Sequence, residues 1–345
     1  MKANRPIRFS RERTPILLVV VDTEEEFDWN QPFSREAVGV RAMDSAHLGQ
    51  ELFDSFDIQP TWVVDYPVAS QESGFAPLKD FAHCGRAVIG AHTHPWVTPP
   101  FEESLSSQNA YPGNLPRHLE EQKLHHVSRA IQSWLGQAPL IHKAGRYGVG
   151  VNTTGILLEQ GFQVDLSPAP PFDFSSDGGP DFSHGSNHPH WLNPEKSLLC
   201  LPTSGGYAGL LRSQGRWLYP MSRGPGLQRL RVPGILSRLG LLERLRLSPE
   251  GYTLEEMKRI TRVLLEAGVG VVSLTFHSPS LQPGHTPYVA GENDLEQFLE
   301  RLRRYCDFFL GELGGKAMTP LDVAAMIRAQ GDGVHQGGLM RGEQS

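Results

Sequence analysis

The hydrophobic positions fall into short apolar runs separated by stretches with helical spacing. Ile16-Leu17-Leu18-Val19-Val20-Val21 is continuous and half β-branched valine, the pattern of a strand covered on both faces in a parallel α/β sheet. Leu48, Leu52 and Phe56 recur at helical intervals within residues 41–56, and strands are expected over 61–66 and 87–91. Residues 115–135 read as a helix, with His125 and His126 on its surface. The segments 139–142, 162–167 and 198–202 read as strands, with a helix over 153–160. Thr253, followed three residues later by Glu256, marks the start of a helix over 254–267. A buried strand over 269–276 comes next, then a helix over 293–313 and a last one opening at Thr319-Pro320. This alternation predicts right-handed βαβ units in a parallel sheet or barrel.

In such sheets chemistry gathers at the C-terminal ends of the strands. The first run ends in Asp22-Thr23-Glu24-Glu25-Glu26. In extended chain Asp22 and Glu24 share a face and Glu25 turns away; taken alone, the cluster reads equally as a solvated acidic turn. The third strand runs into His92-Thr93-His94. Extended residues two apart lie about 6.5 Å from each other on one side, so both imidazoles can aim at one divalent metal if a third donor arrives from elsewhere. Two histidines sharing the polar face of a strand is the alternative. After the fourth strand comes Lys143-Ala144-Gly145-Arg146-Tyr147-Gly148-Val149-Gly150, whose glycines let the backbone approach a ligand and whose Lys143 or Arg146 can steady a carboxylate. His277 directly follows the last long strand. Two histidines and one carboxylate make a three-ligand site with room for water. A second carboxylate can then act as general base and His277 can protonate a leaving group, which suits hydrolysis of an amide or ester. Glu25, Trp96, Lys143, Tyr147 and Asp165 are the candidates for contact with substrate.

Composition narrows the picture. The net charge of −6 gives no overall field favouring nucleic acid. Cys84, Cys200 and Cys306 are odd in number and widely spaced, which argues against a disulfide framework and for a reducing, cytoplasmic setting. The basic lead from Lys2 to Arg13 and the apolar run behind it superficially suggest a signal peptide. That run is too short for a membrane span and is followed at once by acids, so it reads as a buried strand. No Gly-x-Ser-x-Gly elbow occurs, Gly314-Gly315-Lys316 lacks the Walker spacing, and the glycines of 145–150 do not form a dinucleotide fingerprint.

Residues 1–14 form the basic lead, 15–330 a single domain, and 331–345 an expected disordered tail. Composition shifts near residue 168, but His277 lies beyond the shift, which favours one domain with an elaborated second half. Residues 168–194 are rich in Pro, Gly, Ser, Asp and His, the mark of a functional or mobile loop, and His184, His188 and His190 there make a weaker rival metal cluster. An insertion at about 205–250 alternates leucines with Arg223, Arg229, Arg231, Arg238, Arg244 and Arg246. It reads as a solvated basic face, or as a surface for a polyanionic or lipid-linked substrate or for peripheral contact with a membrane.

Five segments in order resemble the polysaccharide deacetylases with a NodB-homology domain (carbohydrate esterase family 4). They are Val21-Asp22-Thr23-Glu24-Glu25, Thr61-Trp62-Val63-Val64, Gly90-Ala91-His92-Thr93-His94-Pro95, Lys143-Ala144-Gly145-Arg146-Tyr147-Gly148 and Leu274-Thr275-Phe276-His277. The resemblance spans residues 15 to about 280. It implies an α/β fold, a distorted (β/α) barrel of about seven strands, a divalent metal, usually zinc, and removal of N- or O-acetyl groups from sugars. It further implies Asp22 as general base, Glu24, His92 and His94 as metal ligands, His277 as the acid serving the leaving group, and Arg146, preferred to Lys143 for its planar fork, as support for the base. Two features depart from the family's pattern. Its paired aspartates are replaced by Asp22-x-Glu24-Glu25, so Glu24 as base with Glu25 on the metal is an alternative, and the second histidine follows the first by two residues instead of four. Lacking a secretion signal, the chain is expected to act on a cytoplasmic glycan precursor such as a lipid-linked or nucleotide-linked sugar. Two other functions stay open: hydrolysis of a small cyclic amide or ureide on the same fold, and non-catalytic glycan binding by a relative that has lost its metal.

Overall fold

The computed structural model describes residues 5–336, apart from 11, 29, 30, 225, 227, 228 and 230. Its main sheet contains β1 (Ile16–Thr23), β2 (Thr61–Val64), β3 (Val88–Thr93), β4 (Ile141–Ala144), β5 (Val164–Asp165), β6 (His190–Trp191) and β7 (Leu199–Cys200). A separate hairpin, β8 (Gly205–Ala208) with β9 (Glu243–Arg246), precedes β10 (Val271–His277) and β11 (Lys316–Ala317), which return to the main sheet. The strand order is β10-β1-β2-β3-β4-β5-β7-β6, with β11 also beside β1. All pairs are parallel except β6 with β7, so seven parallel strands run from β10 to β7 in a curled half-barrel, the count the resemblance implied.

The unbroken apolar run of β1 is explained by two cores. Leu17, Val19 and Val21 pack into the larger one with Leu52, Phe53 and Phe276. Ile16, Leu18 and Val20 face the inside of the half-barrel with Val63, Ile141, Val164 and Leu199, and with Val323, Ala324 and Ile327 from the helix Pro320–Gln336. Each such side chain contributes roughly 1.5–3 kcal/mol by leaving water, which makes β1 a stiff base for whatever follows it. The next residue on the inner face after Val20 is Asp22, and its register partner on β10 is His277. On the other side, His92 of β3 is in register with Lys143 of β4. The inner face therefore changes from an apolar plug to a rim of ionisable groups at one end of the sheet.

Several boundaries differ from the sequence expectation for local reasons. β2 stops at Val64 because Asp65 caps the helix Tyr66–Ser70, its Oδ1 accepting from the Val68 N–H. The helix from Thr253 is capped as expected, with Thr253 and Glu256 bonded reciprocally. The last helix runs to Gln336, so residues 331–336 are not the disordered tail expected of them; apolar packing at Val323, Ala324 and Ile327 anchors the helix despite Gly331 and Gly333. Residues 337–345 lie outside the described residues. Within the expected insertion Gly205-Gly206-Tyr207-Ala208 is a strand, and Arg244-Leu245-Arg246-Leu247 follows a period of two, with both leucines buried. No helix among the described residues is long and apolar enough to cross a membrane.

Candidate active site and metal centre

Asp22 is buried on the inner face, and Lys143 donates to both of its oxygens at 2.5 and 2.6 Å. Burial by itself would raise the proton affinity of this carboxyl, but the Lys143 ammonium, with His92 and His277, outweighs it and holds Asp22 below the usual aspartate range. A carboxylate has about four lone-pair sites, so the bonds to Lys143 leave Asp22 able to accept another proton donor from the cleft.

The tandem histidines end β3, and because the strand stays extended through Thr93 their rings converge. His92 Nδ1 lies 2.8 Å from the Lys143 carbonyl oxygen, which can only accept. That partner assigns the proton to Nδ1 and leaves the Nε2 lone pair facing the site. His94 Nδ1 lies 2.8 Å from Glu25 Oε2, which orients its Nε2 the same way. The two Nε2 atoms are 3.1 Å apart, with Glu24 Oε2 at 3.4 Å from His94 and 3.8 Å from His92. Burial pushes both imidazoles towards the neutral form. Burial also pushes Glu24 up, to about 8, with Glu25 and Asp22 adding to the effect against the opposing pull of His277 and His94. Two inward lone pairs at that distance, beside a carboxyl that otherwise retains its proton near neutrality, form an arrangement that a divalent cation stabilises. Glu24, His92 and His94 thus fit a metal in the chemistry and convergence of their donors.

Glu25 is placed differently. Its carboxylate is fully buried behind His94, where Trp96 Nε1 donates to Oε1 at 2.8 Å, while its backbone N–H donates to Asp65 Oδ2 at 2.9 Å. Glu25, Asp65 and His94 also form a convergent group, but these oxygens are already engaged in orienting the imidazole, the outer-shell arrangement common behind metal histidines. Of the two convergent groups, the one that brings both tandem histidines together includes Glu24 and not Glu25. His184, His188 and His190 belong to neither convergent group found among the described residues.

Across from the histidines stands His277. Glu250 holds it twice, Oε2 lying 2.7 Å from Nδ1 and Oε1 accepting from the backbone N–H at 3.0 Å. Nε2 points towards Asp22, with 3.9 Å to Oδ2. Burial would lower the affinity of this ring for a proton, but Glu250, Glu24 and Asp22 together reverse the effect and hold it well above the usual histidine range.

These groups open into a cleft of about 750 Å³, lined also by Trp96, Tyr111, Tyr147, Arg246 and Tyr288. Trp96 stacks on His94 with 4.3 Å between ring centres. The arginine expected beside the base is elsewhere: Arg146 pairs with Asp177 of the 168–194 loop, donates to the Ser107 carbonyl at 3.1 Å and lies over the Tyr111 ring at 4.1 Å. The reason is the backbone, since Arg146 and Tyr147 have φ of 54° and 60° and the turn throws both side chains past the end of β4. Lys143 supplies the cation for Asp22 and is not among the residues lining the cleft. Asp165, expected to meet substrate, is buried beneath, its Oδ1 bonded to His142 Nδ1 at 3.0 Å and to the Ser167 hydroxyl at 2.5 Å.

Gly145 has a specific role. A Cβ there would strike the Thr93 carbonyl and the His94 ring, so the glycine lets β4 close against a histidine, where the sequence suggested approach to a ligand. Gly145→Ala is expected to tilt His94 and to weaken metal affinity by roughly tenfold or more while the fold persists, checked by metal titration and circular dichroism.

Sequence reasoning missed Glu250 and Asp65. Asp65 had a signal, as an acid at the end of an apolar strand. Glu250 had none, standing in a loop 27 residues before the histidine it holds.

No protein-family model and no curated protein matches the chain by sequence. Solved structures do match by fold. A Mycobacterium smegmatis structure assigned to the polysaccharide deacetylases aligns with a TM-score of 0.51 and 18% identity, covering 95% of this chain and 96% of its own. An allantoinase (Puue) aligns with a TM-score of 0.52 and 15% identity, covering 95% of each chain. The fold is that of the NodB-type half-barrel these structures share.

Proposed function

We propose that the protein is a metal-dependent hydrolase that removes an acetyl group from an acetylated sugar in a glycan or glycan precursor. The observation carrying this reading is the convergence of the two Nε2 atoms and Glu24 at 3.1–3.8 Å beside Asp22, whose carboxyl is held below its usual range, and His277, whose ring is held above its own. Glu24, His92 and His94 would hold a divalent metal, for which zinc suits the donor set, and it would supply a Lewis acid for the acetyl carbonyl and acidify water. Asp22 takes the proton from the attacking water, Lys143 keeping it ionised until then. His277 gives its Nε2 proton to the sugar nitrogen or oxygen as the bond to the acetyl carbon breaks, and acetate leaves. Tyr147, half-buried at the cleft, is placed to meet the sugar, while Trp96 forms the buried wall behind His94.

Purified without chelator, the protein is expected to carry about one equivalent of zinc or a similar ion, and His92→Ala to lose it. Metal analysis of both checks this. A sub-stoichiometric content unchanged in the variant would instead favour a non-catalytic glycan-binding protein.

The equally complete match to the allantoinase supports a second reading, ring opening of a small cyclic amide or ureide by the same groups. Acetate release from N-acetylglucosamine oligomers, set against opening of allantoin, separates the two.

A further inference from the structure

The insertion has a charge and an exposure pattern that neither the cleft nor the fold uses. Between Arg212 and Leu242 the sequence has six arginines and no carboxylate, in a chain whose net charge is −6. All six, Arg212, Arg216, Arg223, Arg229, Arg231 and Arg238, are exposed, and among the described residues only Arg212 has an acidic partner, Glu266. A solvated basic helix would show no more than this. The same segment also exposes Trp217 (57%), Met221 (61%), Ile235 (49%) and Leu239 (64%), and with Leu210 (78%) just before it these are half of the large apolar side chains exposed among the described residues. Trp217 and Met221 are four apart on the helix Gly215–Ser222, Ile235 and Leu239 four apart at the helix Val232–Arg238, and the two helices touch. Each pair therefore shares one side of its helix.

The hairpin β8–β9 ties this unit to the body, with Gly206 packed close to Ile260, and its last strand delivers Arg246 to the cleft, where Arg246 donates to the Tyr147 hydroxyl at 2.8 Å. The insertion is thus joined through β9 to a residue at the mouth of the cleft.

We infer that the insertion docks the protein on an anionic lipid bilayer, Trp217, Met221, Ile235 and Leu239 entering the interfacial layer and the arginines meeting acidic headgroups. Charge complementarity selects this occupant. Exposed apolar side chains interspersed along the segment with arginines and no acids are what a negatively charged leaflet attracts, whereas a second copy of the chain would bring the same positive charge against itself. Docking there sets the cleft beside the membrane surface, within reach of a lipid-linked substrate.

Vesicle flotation tests the inference independently of the proposed reaction. The full chain is expected to float with vesicles of phosphatidylcholine and phosphatidylglycerol, to stay behind with phosphatidylcholine alone, and to be released by salt. Trp217→Ser with Leu239→Ser, and separately Arg216→Gln with Arg238→Gln, are each expected to weaken binding by about tenfold or more. Both double variants should keep the parent's circular dichroism and its hydrolysis of a soluble substrate. Absence of flotation with anionic vesicles overturns the inference. So does a dimer in sedimentation velocity that Trp217→Ser with Leu239→Ser dissociates, since the patch would then be an interface between copies.

Discussion

Lys143→Met is expected to abolish turnover and to lower stability by about 3–5 kcal/mol, the usual cost of removing one partner from a buried ion pair. Asp22 would be left without the ammonium that now donates to both of its oxygens. Burial then dominates, the carboxyl rises in proton affinity and takes up a proton at neutral pH, and the base is lost along with the charge. Denaturant unfolding and an activity assay on the same preparation check both parts. The double variant Lys143→Met with Asp22→Asn separates them, because no buried charge remains unpaired: it is expected to recover most of the lost stability while staying inactive. A Lys143→Met protein that keeps both its stability and its turnover would show that Asp22 does not depend on this cation and is not the base.

The choice between Lys143 and Arg146 also shows what the sequence could and could not say. Strand parity had the answer, since Ile141 faces the inner core and Lys143 is the next residue on that face, in register with His92. The chemical preference for an arginine fork pointed instead to a residue beyond the strand, in a left-handed turn that no local pattern announces. Asp22, Glu24, His92, His94 and His277 were legible because each follows an apolar run that has to be a buried strand, and a parallel sheet gathers such ends at one edge. Glu25 was harder, because alternation says only that it turns away from Glu24, and the space behind His94 exists only once β1, β2 and β3 are assembled. Glu250 and Asp177 were not legible at all. They reach the site from loops whose paths are set by tertiary packing, and loop composition carries no register. The arginines of the insertion were plain in the sequence, while the exposure of Trp217, Met221 and Leu239 among them was not, because a leucine-rich alternation normally buries its apolar side.

His277→Ala is expected to retain metal and lose turnover by roughly 10²–10⁴-fold, the usual contribution of a positioned general acid. Neither its Nε2 nor its Nδ1 belongs to the convergent donor group, so metal content reads the ligands and turnover reads the acid. Glu250→Gln is the finer test, because both Glu250 oxygens hold His277. In the parent, activity should fall in acid as Asp22 gains a proton and fall in alkali as His277 loses one. The first limb lies low because Lys143 depresses Asp22, and the second lies high because, against burial, Glu250 with Glu24 and Asp22 raises His277. Removing the Glu250 charge lets burial prevail, so the ring deprotonates at lower pH. The alkaline limb of the kcat/KM profile should then move towards neutrality while the acid limb stays in place. A Glu250 acting only as scaffold would lower the whole profile without displacing either limb. That outcome would take the proton donation away from His277 and leave Asp22 and the metal donors as the catalytic set.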